Sequence, residues 1–186
     1  MKRLLLIAAI LLAPVIAGAQ MVSIQTNVLD WAALGTANLE AGVAVARHFS
    51  VFAGGRYNNW SFETENPYAE LLNQQQTAYV GVRYWTWYVN SGLWFSAKGQ
   101  YQNYTNTGIW RAALQEGRNG WGGGLGVGYT YLLTKHLNLE FGAGGWVVHY
   151  GEYNFYDSPK KYRVRHEGPA TKIYPDFLSL SLVLVF

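Results

Sequence analysis

Apolar and polar residues alternate along most of the chain, in segments separated by turn-forming residues. Alternation over several residues is typical of β-strands, because successive side chains point to opposite faces. The last segment, LSLSLVLVF, alternates leucines with serines and ends on Phe186. The pattern predicts eight strands, over 23–31, 37–47, 49–61, 76–88, 92–105, 120–133, 136–151 and 173–186.

The predicted connections alternate in length. They are short near 48, at 89–91 and at 134–135, intermediate at 32–36, and long at 62–75, 106–119 and 152–172. Tight turns at one end and long loops at the other are typical of outer-membrane barrels, whose short turns face the periplasm. The strand number is even, and each strand is long enough to cross hydrocarbon. We therefore predict an all-β fold: an eight-stranded antiparallel up-and-down transmembrane β-barrel with both termini in the periplasm.

The apolar positions of each strand share one parity, which by itself fits two kinds of barrel. The apolar face points inward in a soluble barrel that binds a hydrophobic ligand and outward in a membrane barrel. Here the polar parity is rich in glycine, which suits the crowded interior of eight strands. Aromatic residues gather near both strand ends, as in membrane-interface girdles: Trp31, Tyr57, Trp60, Tyr101, Tyr104, Trp121, Tyr150 and Tyr153 near the long loops, and Phe49, Trp87, Tyr88, Tyr129, Tyr131 and Phe186 near the short turns. We expect the apolar face to point outward.

The first 19 residues have the features of a secretory signal peptide. The basic MKR precedes an apolar run of about 14 residues that contains Pro14, which is short for a membrane span. Small residues at Ala17 and Ala19 fit a cleavage site. We therefore predict a signal peptide over 1–19 and one barrel domain over 20–186. Loss of Lys2 and Arg3 lowers the formal net charge from +3 to about +1, and no basic stripe indicates nucleic acid.

Several segments carry a resemblance to known families: TNVLDW, NLEAGVAVARHFSVFAGGRYNNWSF, VGVRYW, WGGGLGVGYTYLL and the terminal strand. Together they cover most of 23–186. The chain resembles the small OmpA/OmpX-like barrels and, more closely, an uncharacterised family of Bacteroidetes outer-membrane barrels filed as a domain of unknown function. The resemblance implies a fold and a location but no activity. It also implies that Leu182, Leu184 and Phe186 belong to the C-terminal signal that the barrel-assembly machinery reads.

Five charged residues lie on the polar parity near the middle of their strands: Glu40, Arg56, Arg83, Lys98 and Glu140. In a membrane barrel they point into the lumen, where an unpaired charge is expensive. We predict that they interlock as ion pairs and plug an interior that side chains just fill. The alternative is a selective pore or gate.

Potential catalytic groups fall near the rim that carries the long loops. A base oriented by a carboxylate beside a hydroxyl is the minimal hydrolase arrangement, and some small outer-membrane barrels modify lipids. The rim offers His149, Glu152, Asp157, Ser158, His166 and Glu167, but without motif spacing. We therefore expect no enzymatic activity and assign no catalytic, cofactor-binding or metal-ligating residue. A lipid-modifying enzyme remains the alternative.

The long loops differ in charge. Loop 62–75 is acidic, whereas 152–172 is basic, with Lys160, Lys161, Arg163 and Arg165; loop 106–119 contains WRAALQE, which allows one or two helical turns. The basic loop is a candidate surface for lipopolysaccharide or an acidic partner; alternatively it is solvated or pairs with the acidic loop. The predicted role is structural or binding, in the bacterial outer membrane, without cofactors. The predicted partners are membrane lipid, lipopolysaccharide, the assembly machinery and other envelope proteins.

Overall fold

The computed structural model describes residues 21–32, 35–62, 71–107, 113–156 and 164–186. They form one helix, α1 (Val28–Ala32), and the strands β1 (Val22–Asn27), β2 (Ala37–Ala46), β3 (Phe49–Phe62), β4 (Leu71–Trp85), β5 (Gly92–Thr107), β6 (Leu114–Leu132), β7 (Leu137–Tyr156) and β8 (Val164–Val185). Every strand pairs antiparallel with the next, and β8 pairs with β1. The predicted eight-stranded up-and-down barrel is confirmed. The predicted leader lies outside the described residues, among which no helix is long and apolar enough to cross a membrane.

The barrel closes between its first and last strands. β1 pairs with Ser181–Val185 of β8, with Ser23 opposite Val185 and Asn27 opposite Ser181. Val22 and Phe186 exchange backbone hydrogen bonds of 3.2 and 2.9 Å. The chain therefore ends within the ladder, and closure pairs the edges that two open strands would expose.

The prediction of a first strand to residue 31 is wrong beyond Asn27, because α1 follows. The Asn27 Oδ1 atom accepts the Leu29 N–H at 3.2 Å, as a residue that caps a helix N-terminus does. The same oxygen accepts the Leu180 N–H of β8 at 3.0 Å. One asparagine thus starts the helix and ties it to the last strand.

The long connections are shorter than predicted. β4 begins at Leu71, β7 continues to Tyr156 and β8 begins at Val164. The expected helical turns in WRAALQE are wrong for Leu114–Glu116, which lie in β6, and 110–112 are outside the described residues. Runs of polar residues in these extensions, such as Asn73–Gln75 in β4, lack the alternation of apolar and polar residues that revealed the other strands.

The outer surface is apolar, with aromatic residues at both ends. Trp31, Tyr57, Trp60 and Trp121 are exposed towards the long connections, and Phe49, Trp87, Tyr88, Tyr129, Tyr131 and Phe186 towards the short turns. The expectation that Tyr104, Tyr150 and Tyr153 join the outer girdle is wrong. Tyr104 and Tyr150 occupy the inward parity of their strands, and a bulge between Tyr150 and Tyr153 turns Tyr153 inward too.

Large aromatic side chains fill much of the lumen, next to inward-facing glycines. A Cβ on Gly54 would lie 2.6 Å from the Tyr79 hydroxyl oxygen, and one on Gly81 would lie 2.6 Å from Cζ of Phe52. The inward glycines therefore make space for rings from neighbouring strands.

The short-turn end of the lumen is closed by a buried cluster of Trp85, Val89 and Trp94. The indole N–H of Trp85 donates to the Ser50 hydroxyl at 3.0 Å. Below them, the Asn138 amide donates to the Asn90 carbonyl oxygen at 3.1 Å, which ties the β4–β5 turn to β7. The barrel is therefore blocked at this end.

Candidate functional site

Six charged side chains line one small cavity inside the barrel. Three are carboxylates and three are cations, so their formal charges balance. We call these residues the lumen charge cluster: Asp30, Glu40, Arg56, Arg83, Lys98 and Glu140. Five come from inward positions of the strands, and Asp30 comes from α1.

Arg83 is the centre of the cluster and is shared by two glutamates. Its Nη2 atom lies 3.0 Å from Oε1 of Glu40, and its Nη1 atom lies 3.6 Å from Oε1 of Glu140. Glu140 is 2% exposed, and Thr130 donates to its other oxygen at 2.9 Å. The Gln25 amide donates to Glu40 at 3.0 Å. These hydrogen bonds offset part of the cost of burying three charges.

The Arg83 guanidinium also packs against aromatic rings. Its central carbon lies 4.4 Å from the Trp94 ring centre, 4.8 Å from Phe52 and 5.6 Å from Trp85. The face of an aromatic ring attracts a cation, and more strongly where water is excluded. Arg83 therefore connects the charged middle of the lumen with the aromatic cluster that closes it.

Arg56 and Lys98 have other partners than the two glutamates. The Arg56 Nε atom lies 2.9 Å from Oδ2 of Asp30, a partner that the sequence analysis missed because it read residue 30 as strand. The Lys98 ammonium lies 4.6 Å from the Tyr79 ring centre. Asn27 followed by Asp30 is a sequence signal for the start of a helix, because asparagine favours the capping position and acidic residues favour the first turn.

The cavity beside the cluster measures about 40 Å³, which is room for a few water molecules and no larger ligand. Phe52, Tyr79 and Trp94 share its walls with the charged side chains. The arrangement is thus packed around paired charges. Among the described residues, no group of three or more His, Cys, Asp or Glu side chains is placed to hold a metal ion.

A larger cavity of about 270 Å³ lies between the cluster and the end that carries the long connections. We call it the vestibule. Arg56 lies at its inner end, and Asn73, Asn106 and Gln115 lie towards the outer ends of β4, β5 and β6. The barrel is therefore a cup, blocked at the short-turn end and hollow at the other.

The rim groups considered for catalysis are dispersed. The His149 Nδ1 atom lies 3.0 Å from the Thr171 hydroxyl, which belongs to the outward side of β8. The His166 ring lies 5.6 Å from the ring of Tyr153. Asp157 and Ser158 are outside the described residues. The described contacts thus pair each histidine with a hydroxyl-bearing residue rather than with a carboxylate.

The remaining predicted residues lie at the two ends of the barrel. Lys160, Lys161 and Arg163 of the basic loop are outside the described residues, whereas Arg165 lies in β8. Leu182 and Leu184 face outward on β8, Phe186 follows directly after it, and all three are exposed. The structure therefore leaves the basic loop undescribed and places the terminal apolar residues on the outer wall.

Comparison with known proteins identifies a family but no function. The family model described as "Protein of unknown function (DUF3575)" matches residues 4–186. No curated protein matches the chain. No solved structure matches it.

Proposed function

We propose that this chain, which belongs to the DUF3575 family of proteins of unknown function, is an integral β-barrel of the bacterial outer membrane with a plugged polar lumen. Its role is structural or binding, not enzymatic, and it serves the cell envelope, alone or as a subunit of a larger outer-membrane complex. The OmpA/OmpX-like character and the Bacteroidetes origin that the sequence suggests are part of this proposal, as are the signal peptide over 1–19 and periplasmic termini.

One observation carries the proposal: midway along the barrel, charged side chains point inward and the apolar residues of the same strands point outward. Arg83 and Glu140 are buried, whereas Leu39, Leu125 and Leu178 are exposed. In water this distribution is unfavourable, since each exposed apolar side chain forgoes about 1.5–3 kcal/mol of burial. In a bilayer the same face contacts hydrocarbon. A soluble barrel that binds a hydrophobic ligand would need the opposite orientation.

The test is fractionation of cells that express the full chain. We expect the protein in the outer-membrane fraction, extractable only with detergent, and faster migration of unheated than of heated samples on gels. Recovery as a soluble protein from the periplasm or medium would refute the membrane location. Proteins that co-purify in mild detergent would then identify the complex, if the barrel is a subunit.

The plugged lumen is tested separately by planar-bilayer recording. We expect no conductance steps above background from the purified protein, because the lumen charge cluster and the Trp85–Trp94 cluster occupy the interior. Steps that disappear on adding an antibody against the protein would support a pore instead. Arg83→Ala serves as the sensitised variant, since it removes the guanidinium that Glu40 and Glu140 share at the centre of the charge cluster.

The lipid-modifying alternative has its own measurement. We expect lipid A from cells that overexpress the chain to have an unchanged mass spectrum, since His149 contacts Thr171 rather than a carboxylate. A new acylated or deacylated species that vanishes with His149→Ala would establish an enzyme.

A further inference from the structure

We propose that the vestibule is a binding site for a small neutral saccharide, and that the Gln100 side chain is one of its hydrogen-bonding groups. The inference deepens the proposed function, on whose binding role it rests, by naming the ligand class. It is carried by three features of the vestibule: its polar groups, its charge and its aromatic wall.

Amides are the most numerous polar groups of the vestibule. Six of its lining residues carry one: Asn73, Gln75, Gln100, Gln102, Asn106 and Gln115. An amide side chain offers a donor and an acceptor side by side. Sugar hydroxyls also donate and accept, so a ring of amides matches several hydroxyls at once. Six amides thus surround one cavity, whereas the small cavity below it is lined mainly by charged and aromatic side chains together with three other amides and three serines.

Gln100 shows that this polar surface is incompletely satisfied. The residue is 4% exposed, and its Oε1 atom has no hydrogen-bond partner among the described residues. A buried acceptor without a partner is unfavourable, so a donor that reaches this atom from the vestibule would remove that cost. A ligand hydroxyl that enters the vestibule can donate to it.

The charge of the vestibule argues against an ionic ligand. Arg56 is the charged side chain among the described residues that line it, and Asp30 already lies 2.9 Å from the Arg56 Nε atom. The cation is therefore compensated from the inner side. An anionic ligand would find amides and tyrosines but no uncompensated positive charge. A cationic ligand would be repelled by Arg56.

Aromatic rings form one wall of the cavity. Tyr104 and Tyr174 join hydroxyls at 3.1 Å, and Tyr150 donates to the Gln102 amide oxygen at 3.2 Å. The Tyr104 and Tyr150 rings pack edge to face at 5.5 Å, so the wall is held in place. Amphipathic rings suit the C–H faces of a sugar, while the hydroxyls turn to the amides. The volume of about 270 Å³ is just below the range of drug-sized sites, which limits the ligand to one or two sugar rings.

The test is titration of the purified full-length protein with methyl glycosides of glucose, galactose and mannose and with N-acetylglucosamine. The detergent is a zwitterionic amine oxide, because detergents with sugar headgroups would compete. Binding is followed by saturation-transfer NMR and calorimetry. We expect saturable binding of at least one neutral sugar in the millimolar range. Glucose 6-phosphate should bind at least fivefold more weakly, because the vestibule offers no uncompensated positive charge for its phosphate.

Gln100→Met removes the unpartnered acceptor at nearly constant length, and Gln76→Met is the matched control on the outer wall, where Gln76 is exposed. We expect Gln100→Met to weaken binding about fivefold or more and Gln76→Met to leave it unchanged, as loss of one neutral hydrogen bond implies. If Gln100→Met fails to fold, as gel migration would reveal, Tyr104→Leu replaces it with the same expectation.

No saturable binding of any sugar, or equal affinity in the vestibule and control variants, would overturn the proposal. Stronger binding of the phosphorylated sugar would overturn it as well. The outcome is independent of the location, because binding is measured in micelles. A protein that fractionates as soluble yet binds sugar would refute only the membrane proposal, whereas an outer-membrane protein without binding would refute only the vestibule site.

Discussion

Replacing Arg83 by methionine tests whether the lumen is held together by paired charges. The change leaves the Glu40 and Glu140 carboxylates without the guanidinium that lies 3.0 and 3.6 Å from them. Removing one partner of a buried ion pair costs about 3–5 kcal/mol. Loss of the ring contacts at 4.4 and 4.8 Å adds about 0.5–2 kcal/mol, which methionine partly offsets by filling the space. We expect the free energy of unfolding to fall by about 3–5 kcal/mol.

The assay is equilibrium urea unfolding in detergent micelles, followed by tryptophan fluorescence and gel migration. Arg47→Met is the matched control: Arg47 is exposed, donates to the Tyr88 hydroxyl at 3.0 Å and lies 4.8 Å from that ring. Because the contacts of Arg47 are exposed to water, we expect Arg47→Met to lower the free energy of unfolding by less than about 1 kcal/mol. The triple variant Arg83→Met, Glu40→Gln, Glu140→Gln removes the unpaired charges and should recover most of the loss. Equal costs for Arg83→Met and Arg47→Met, or no recovery in the triple variant, would refute the reasoning.

Two further predictions concern the glycines and the last residue. Gly81→Ala should lower the free energy of unfolding by about 1–3 kcal/mol in the same assay, since its Cβ would lie 2.5 Å from the Ala97 carbonyl oxygen and 2.6 Å from Phe52. Gly99→Ala is the control and should leave the free energy of unfolding unchanged, because its Cβ meets no described atom within 4 Å. Similar losses in the two variants would contradict the explanation by packing. Phe186→Ser should change the free energy of unfolding in micelles by less than about 1 kcal/mol, because Phe186 is 68% exposed. If Phe186 belongs to the assembly signal, the same change should lower the amount of folded protein in the outer membrane severalfold. Leu133→Ser, an exposed change at the same end, is the control, and equal assembly of both variants would argue against a terminal signal.

The prolines of the last strand illustrate how the sheet tolerates residues that sequence rules exclude from strands. Pro169 and Pro175 fall within β8, in the part that precedes its pairing with β1. A proline gives up one ladder hydrogen bond, which matters least where a strand has one neighbour. The predicted last strand starts at 173, whereas the strand in the structure starts at Val164 and includes both prolines.

The sequence by itself determined the barrel, its closure and the direction of its faces, because strand periodicity is a local property. Alternation in LSLSLVLVF put Leu182 and Ser181 on opposite faces, and the glycines of the polar parity with the aromatic residues at the strand ends predicted that the leucines point outward. The pairing of β8 with β1 followed from the need to remove both edges. It also placed the charged residues on the inward face. These inferences require only the parity of a residue within its own strand and the composition of the two faces.

Only the tertiary structure decided which inward groups meet. Arg83 and Glu40 are 43 residues apart and come from β4 and β2, which are not neighbours in the sheet. Their contact depends on the stagger of the strands and on the rings and glycines between them, which parity does not encode. The same holds for Asp30, which a short helix brings to Arg56, and for the amides of the vestibule, which three separate strands place around one cavity. Contacts across the lumen join residues that are distant in the chain and lie on strands that are not hydrogen-bonded to each other. Such contacts therefore depend on how the side chains pack in three dimensions.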